Sequence, residues 1–206
     1  MKASAKEILA TVLTTVAVLV VAAVAVLWSG VYSFAADVRH SEPVLSMIAF
    51  ARDRSIAIRA ADIKVPSLGD QELVTKGAGN YEAMCAQCHQ APGKGSTELS
   101  RGLYPQPPDL VREAVEPAAA FWTIKHGIKA SGMPAWGKSM QDRDIWSLVA
   151  LLQRLPSMDQ AAYHKLVEQS AGHSHGGAPG ARQADASAMR GAGSGSGEQS
   201  EDGHAH

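Results

Sequence analysis

Two cysteines and a histidine form the string of residues that is most informative about chemistry. Cys85 and Cys88 are separated by two residues, His89 follows at once, and the chain has only these 2 cysteines. A C-x-x-C-H string is typical of a c-type haem site, in which the thiols form thioethers with the haem vinyl groups and the histidine binds the iron. We therefore predict one covalent haem c, held by Cys85, Cys88 and His89.

The surrounding sequence is inconsistent with two other kinds of cysteine site. A thioredoxin-type dithiol is expected beside a βαβ pattern, and nothing near Cys85 resembles one. A structural zinc site needs a second pair of Cys or His ligands at zinc spacing, and none follows Cys88. Haem attachment therefore remains the prediction for both thiols.

A haem iron bound by one histidine needs a sixth ligand or an open position. Met133 lies between Gly132 and Pro134, in a stretch too rich in turn residues to be helical. His/Met ligation is the arrangement of electron-transfer cytochromes c, in which methionine raises the potential. His126 is the rival ligand and would give a bis-histidine iron. We predict that His89 and Met133 are the metal ligands.

Two further residues are candidates for haem contacts. A ligating histidine normally donates its other ring N–H to an oxygen acceptor, and the carbonyl of Pro108 could accept that hydrogen bond on a rigid stretch of chain. Trp122 could donate its indole N–H to a haem propionate, or it could be an ordinary core residue. Both readings stay open for Trp122.

Helices are needed to hold the C-x-x-C-H string in place. Asp70 is suited to cap a helix that runs into the string. A second helix, from about residue 142 to 154, is indicated by apolar residues at helical spacing. Gly77 leaves a notch on the first helix, and we predict that Trp146 of the second helix fills it.

Other segments complete the predicted domain. Residues 91–110 are rich in Gly and Pro and are predicted to wrap the haem as a loop. Pro117 begins a helix that Gly127 ends. Ser157 begins a capping-box pattern, which predicts a short helix to about Ser170.

The first part of the chain predicts a membrane anchor. Ile8 to Trp28 contains no charged residue, and as a helix it would be about 31 Å long, close to the ~30 Å of a bilayer's hydrocarbon core. Lys2 and Lys6 precede it, so the positive-inside rule predicts a cytoplasmic N-terminus and a periplasmic haem domain. The alternative is a cleaved signal peptide, whose apolar core is usually about 7–15 residues long. We predict a retained single-pass anchor in a bacterial inner membrane.

The segment after the anchor predicts an amphipathic juxtamembrane helix. Residues 43–61 mix apolar side chains with arginines. Such a helix could lie on the lipid surface with its arginines at anionic head groups, or it could pack on the haem domain.

The end of the chain differs in composition from the rest. After Ala171 the sequence consists mainly of Gly, Ala, Ser and scattered charges, which predicts a disordered tail. Neutral imidazoles in this tail could bind a transition metal weakly, or could simply be solvated. The residues concerned are His173, His175, His204 and His206.

Several motifs occur in order along the predicted domain: Gly77-x-x-x-Tyr81, Cys85-x-x-Cys88-His89, Pro108-Asp109-Leu110, Gly132-Met133-Pro134 and the final helix from Ile145 to Leu155. With these motifs, the chain from about residue 68 to 155 resembles the class I cytochrome c family. The resemblance implies an all-α class I cytochrome c fold, with a small helical domain wrapped around one covalent haem, His89/Met133 ligation, and crossing first and last helices. Pro107 stands where many class I members carry glycine, which leaves the Pro107 and Pro108 carbonyls as alternatives. Shorter strings between residues 29 and 168 also resemble proteobacterial membrane-anchored monohaem cytochromes.

These expectations divide the chain into five parts. They are residues 1–7, the cytoplasmic N-terminus; 8–28, the transmembrane anchor; 29–66, the juxtamembrane segment; 67–170, the monohaem cytochrome c domain; and 171–206, the tail with its histidines.

The predicted function is electron transfer rather than catalysis, because two strong iron ligands leave no position for a substrate. The formal net charge of −1 gives no sign of nucleic-acid binding. We predict that the protein passes single electrons between respiratory partners, such as a dehydrogenase and a terminal oxidase. The alternatives are a permanent haem subunit of a membrane redox enzyme and a metal-binding protein that acts through its tail. Four lysines could steer an acidic partner, or could be ordinary solvated residues: Lys94, Lys125, Lys129 and Lys138.

Overall fold

The structure is a computed structural model, and it describes residues 4–173. Apart from an isolated β-bridge between Ala91 and Lys94, these residues form only helices and their connections, which confirms the all-α fold class. The helices are α1 (Ala5–Ser29), α2 (Glu42–Ala60), α3 (Gln71–Met84), α4 (Ala86–His89), α5 (Glu98–Gly102), α6 (Pro117–His126), α7 (Asp142–Leu152) and α8 (Gln160–Gln169), with 3-10 turns at Trp136–Lys138 and Leu155–Ser157.

Lys2 and most of the tail lie outside the described residues. The same holds for His175, His204 and His206. The imidazole Nε2 of His173 lies 3.0 Å from the sulfur of Met84. Within residues 4–173 no cluster of three or more His, Cys, Asp or Glu side chains could hold a metal ion.

Helix α1 is long and apolar enough to cross a membrane, judged by its length and composition. Its most apolar stretch has a mean hydropathy of 2.7 and none of it is buried in the protein. Ser4 and Glu7 form a capping box at its start, and Gly30 ends it in the left-handed conformation, with φ +64°.

The segment after α1 is attached to the haem-motif domain. The Tyr32 hydroxyl lies 2.5 Å from Nδ1 of His40, and the backbone N–H of His40 donates to the Tyr104 hydroxyl at 3.0 Å. Helix α2 then packs against α6. The side of α2 away from this contact leaves Met47 and Phe50 exposed.

Helices α3 and α7 cross closely at Gly77. A Cβ added there would lie 2.0 Å from the backbone oxygen of Ser147, so only glycine fits. The prediction that Trp146 fills this notch is wrong. Trp146 instead stacks on Phe121 of α6, with ring centroids 4.2 Å apart, because the backbone of α7 itself occupies the space beside Gly77.

Helix α8 packs on the other side of α3. Its buried Tyr163 donates a hydrogen bond of 2.8 Å to Glu82, which also pairs with Lys94. Burial raises the pKa of Glu82, but the hydrogen bonds from Lys94 and Tyr163 outweigh it and hold the pKa below its usual value. Asp159, not Ser157, caps α8, because the N–H of Ser157 is already bonded in the preceding 3-10 turn.

The region predicted as loop contains one short helix, α5. Thr97 caps it: its hydroxyl accepts from the Ser100 N–H at 3.0 Å, and the Ser100 hydroxyl accepts from the Thr97 N–H at 2.9 Å. The sequence prediction missed this helix because a reciprocal cap normally has Glu or Gln in the place of Ser100.

Candidate haem-binding site

A cavity of about 890 Å³ brings together residues that are far apart in sequence. Cys85, Cys88 and His89 line it from one side, and Met133 and Pro108 line it as well. Its volume lies within the range of roughly 300–1,000 Å³ that is usual for cofactor pockets. Five of the six predicted site residues therefore meet at one cavity, which is large enough for a prosthetic group.

The two thiols and the imidazole are positioned by one turn of chain. Cys85 follows the end of α3, and its N–H donates to the Tyr81 carbonyl at 2.8 Å. The N–H groups of Cys88 and His89 both donate to the Cys85 carbonyl, at 3.0 and 2.8 Å. The buried hydroxyl of Tyr81 donates to the carbonyl of Gln90 at 2.7 Å and so holds the end of this turn against α3.

His89 has the hydrogen bond that a metal-ligating imidazole requires. Its Nδ1 lies 3.0 Å from the carbonyl oxygen of Pro108, which is the partner in preference to Pro107. Burial lowers the pKa of His89, and the hydrogen bond to Pro108 acts in the opposite direction. With Nδ1–H bonded to the carbonyl, Nε2 of a neutral imidazole is left to bind a metal.

The chemistry of Cys85 does not suit a redox dithiol. Burial and, to a smaller extent, the neighbouring Cys88 raise the pKa of this thiol to about 12. A reactive cysteine needs a lowered pKa, since the thiolate is the nucleophile. The raised pKa of Cys85 therefore gives no support to a redox dithiol.

Met133 is held by a loop that folds back on itself. The Ile128 N–H donates to the Met133 carbonyl at 3.1 Å, and the Ser131 hydroxyl bridges the Ile128 carbonyl at 2.8 Å and the Met133 N–H at 3.1 Å. Gly127, with φ +66°, packs on this loop: a Cβ there would lie 2.7 Å from the carbonyl carbon of Pro134. Gly127 therefore does more than end α6, because its missing side chain allows the methionine loop to approach.

Two predicted candidates lie elsewhere. Trp122 does not line the cavity and instead packs its ring against that of His126, with centroids 4.9 Å apart. His126 is exposed and is likewise not among the lining residues. Trp136 does line the cavity. Its place three residues after Met133 is the signal in the sequence that points to it.

Helix α2 also contributes to the cavity wall. Arg52, Asp53, Ile56 and Ala57 line it, although they precede the C-x-x-C-H string by about thirty residues. The sequence left open whether α2 lies on lipid or on the haem domain. In the structure it packs on α6 beside the cavity.

The comparison with known families gives a match over the segment that carries the C-x-x-C-H string. Residues 72–152 match the family described as cytochrome C oxidase, cbb3-type, subunit III. The match identifies this part of the chain as a cytochrome c-type domain, consistent with a class I c-type cytochrome. The cytochrome c domain includes Cys85, Cys88, His89 and Met133, but not α2. No curated protein and no solved structure gave a significant match to the chain.

A cytochrome c domain carries covalently bound haem c and acts by haem-based electron transfer. The residues of this cytochrome c domain fit that group. Two adjacent thiols, an imidazole fixed through Nδ1 and a thioether all border one cavity, whose remaining lining includes Leu110, Ile124 and Leu148. These are the donor types of a His/Met haem c.

Proposed function

We propose that this chain is a membrane-anchored monohaem cytochrome c that passes single electrons between respiratory redox partners. Cys85 and Cys88 would hold the haem through thioether bonds, and His89 and Met133 would bind its iron. The observation that carries the proposal is the meeting of these four side chains at one cavity, with His89 held by the Pro108 carbonyl.

The protein's own residues prepare the site for electron exchange without substrate chemistry. Haem iron supplies the one-electron oxidation and reduction. Pro108 fixes the ring orientation and tautomer of His89, and the hydrogen-bonded loop of Ser131 presents the Met133 thioether. Trp136 at the cavity is better placed than Trp122 to donate an indole N–H to a haem propionate.

The first test measures haem content. The full chain is produced in a bacterium with a haem c attachment system and run on a denaturing gel. We expect haem staining of the polypeptide and one haem per chain in the alkaline pyridine spectrum. The variant with Cys85→Ser and Cys88→Ser should lose the stain. Haem that separates from the wild-type chain on denaturation would contradict the proposal.

The second test concerns the sixth ligand. Met133→Ala should abolish the weak near-infrared band of thioether-bound ferric haem and lower the midpoint potential, since methionine favours the reduced iron. His126→Ala is the matched control and should leave both unchanged. An unaltered spectrum in Met133→Ala would rule out this ligand.

We also propose that α1 is a retained anchor with the haem domain on the periplasmic side. Lys6 before the span supports this orientation under the positive-inside rule. The protein should stay in the membrane pellet through high-salt washing, with its haem domain open to protease added to the periplasmic side. A soluble mature form that begins near Ala36 would contradict the anchor.

One observation favours a second function, a permanent subunit of a membrane oxidase. The matching family is described as a subunit of cbb3-type cytochrome c oxidase. Extraction in mild detergent separates the two proposals. A free shuttle should migrate alone on a native gel, whereas a fixed subunit should migrate with other chains at constant stoichiometry.

A further inference from the structure

Helix α2 lies outside the matched domain and yet forms part of the haem cavity. The match begins at residue 72, and α2 ends at Ala60. Ile56 and Ala57 supply apolar wall, and Arg52 and Asp53 supply the charged groups of this helix. Among the described helices α2 packs against α6 only, which places it on the α6 side of the cavity.

Arg52 is the one Lys or Arg among the described residues that line the cavity. Four carboxylates share the lining with it: Asp53, Asp109, Glu113 and Glu116. A haem c brings two propionate groups, and their negative charges need cations or hydrogen-bond donors when they leave water. Arg52 is therefore the cavity's own source of positive charge for them.

The cavity's carboxylates are largely engaged elsewhere. Glu116 caps α6 by accepting from the Ala118 and Ala119 N–H groups, at 3.0 and 2.7 Å. Asp109 accepts from the Val111 N–H at 3.1 Å. Asp53 is the present partner of Arg52, at 2.7 Å.

The Arg52–Asp53 pair is solvent-exposed. Its side chains are 42% and 63% exposed. Surface pairs of this kind contribute only about 0–1 kcal/mol. Arg52 can therefore exchange this weak partner for a stronger one at little cost.

The attachment chemistry determines which edge of the haem faces α2. The vinyl groups and the propionates lie toward opposite edges of the porphyrin. Thioethers at Cys85 and Cys88 would hold the vinyl edge where α3 meets α4. The propionate edge would then lie on the side of the cavity away from this junction, where α6 and α2 are among the elements that line it.

We propose that α2 is a part of the haem-binding unit and that Arg52 pairs with a haem propionate. This inference rests on the proposed function, because it requires an attached haem. A guanidinium matches a carboxylate in a two-point hydrogen-bonded pair, and a partly enclosed pair of this kind is stronger than the surface pair with Asp53. The juxtamembrane segment then supplies a wall of the haem pocket from outside the matched domain.

The experiment compares Arg52→Gln with Arg54→Gln in the haem-loaded full chain in detergent. Both variants remove one positive charge from the same helix, but Arg54 does not line the cavity. Arg52→Gln should leave a propionate uncompensated and shift the equilibrium of haem reduction toward the oxidised form by roughly threefold or more. Arg54→Gln should shift it by much less, and Arg52→Lys should recover part of the difference.

Infrared difference spectra of reduced and oxidised protein provide a direct readout of the pair. With haem labelled by ¹³C at its propionate carboxyls, Arg52→Gln should move the propionate stretching band and Arg54→Gln should leave it in place. Equal potentials and equal propionate bands in the two variants would overturn the inference, provided that the haem stain is present. Loss of the haem stain in the wild-type chain would instead contradict the proposed function.

Discussion

Substitution of Gly77 by alanine tests the helix crossing that supports the haem site. A Cβ at this position would lie 2.0 Å from the backbone oxygen of Ser147, whereas ordinary contacts begin near 3.4 Å. The two helices must separate by the difference, 3.4 − 2.0 ≈ 1.4 Å along this contact, because a backbone atom cannot turn aside as a side chain can. Leu148 and Leu152, which line the cavity from α7, would move with the helix.

The magnitude follows from two opposing effects. Alanine in place of glycine favours a helix interior by about 1 kcal/mol. Overpacking lowers the free energy of unfolding by about 1–3 kcal/mol and occasionally by more. A clash with a backbone atom, which cannot move aside, belongs at the upper end of this range. We expect a net destabilisation of about 2 kcal/mol, which lowers the melting temperature of a domain of this size by roughly 10 °C.

The assay is thermal unfolding of the haem-loaded protein, followed by circular dichroism in the Soret band. Gly102→Ala at the end of α5 is the matched control, since a Cβ there has no neighbour within 4 Å, and it should melt within a few degrees of wild type. If Gly77→Ala melts at or above the wild-type temperature, the account of the α3–α7 crossing is wrong.

Three further predictions use other contacts. The pKa of Glu82 is lowered in the folded protein, so ionised Glu82 stabilises the fold. This contribution to the free energy of unfolding is complete above the usual glutamate pKa of about 4.3 and is lost as pH falls through the lowered pKa. Glu82→Gln should therefore lower the melting temperature at pH 7 and by less at pH 3; an equal loss at both would contradict this. Gly127→Ala should displace the Met133 loop and weaken the near-infrared thioether band while the haem stays attached, and an unchanged band would show that the loop tolerates the added Cβ. Charge reversal at Lys129 should slow electron transfer to an acidic partner more than charge reversal at Lys125, because Lys125 already pairs with Asp142 of its own chain at 2.7 Å. Stopped-flow rates at several ionic strengths measure the two effects, and equal effects would contradict the prediction.

The sequence was informative where a local pattern has only one chemical reading. The Cys85–His89 string, the Asp70 cap and the Gly127 helix end each depend on neighbours within a few residues. Met133, which borders the cavity, could also be singled out, because a methionine between Gly and Pro is unusual core filler; its role as an iron ligand stays a prediction.

The remaining features depend on contacts between distant segments. The partner of Gly77 proved to be a carbonyl of Ser147, and backbone atoms carry no sequence signal. Trp136 lines the cavity and Trp122 does not, because the loop after α6 carries Trp136 to the cavity wall. That Arg52 borders the cavity could not be deduced, because the packing of α2 on α6 is a long-range contact between weakly patterned surfaces.

The short connection between α1 and α2 limits where the electron carrier can go. Residues 30–41 span at most about 40 Å when fully extended, and His40 is fastened to Tyr104, only four residues before Pro108. If α1 spans the bilayer, the pocket stays within a thin layer above the membrane surface. A partner in the same membrane would then meet it at an effective concentration of the order of millimolar. The rate of electron exchange would then depend on the number of partner molecules per area of membrane, and dilution of the surrounding solution would not slow it.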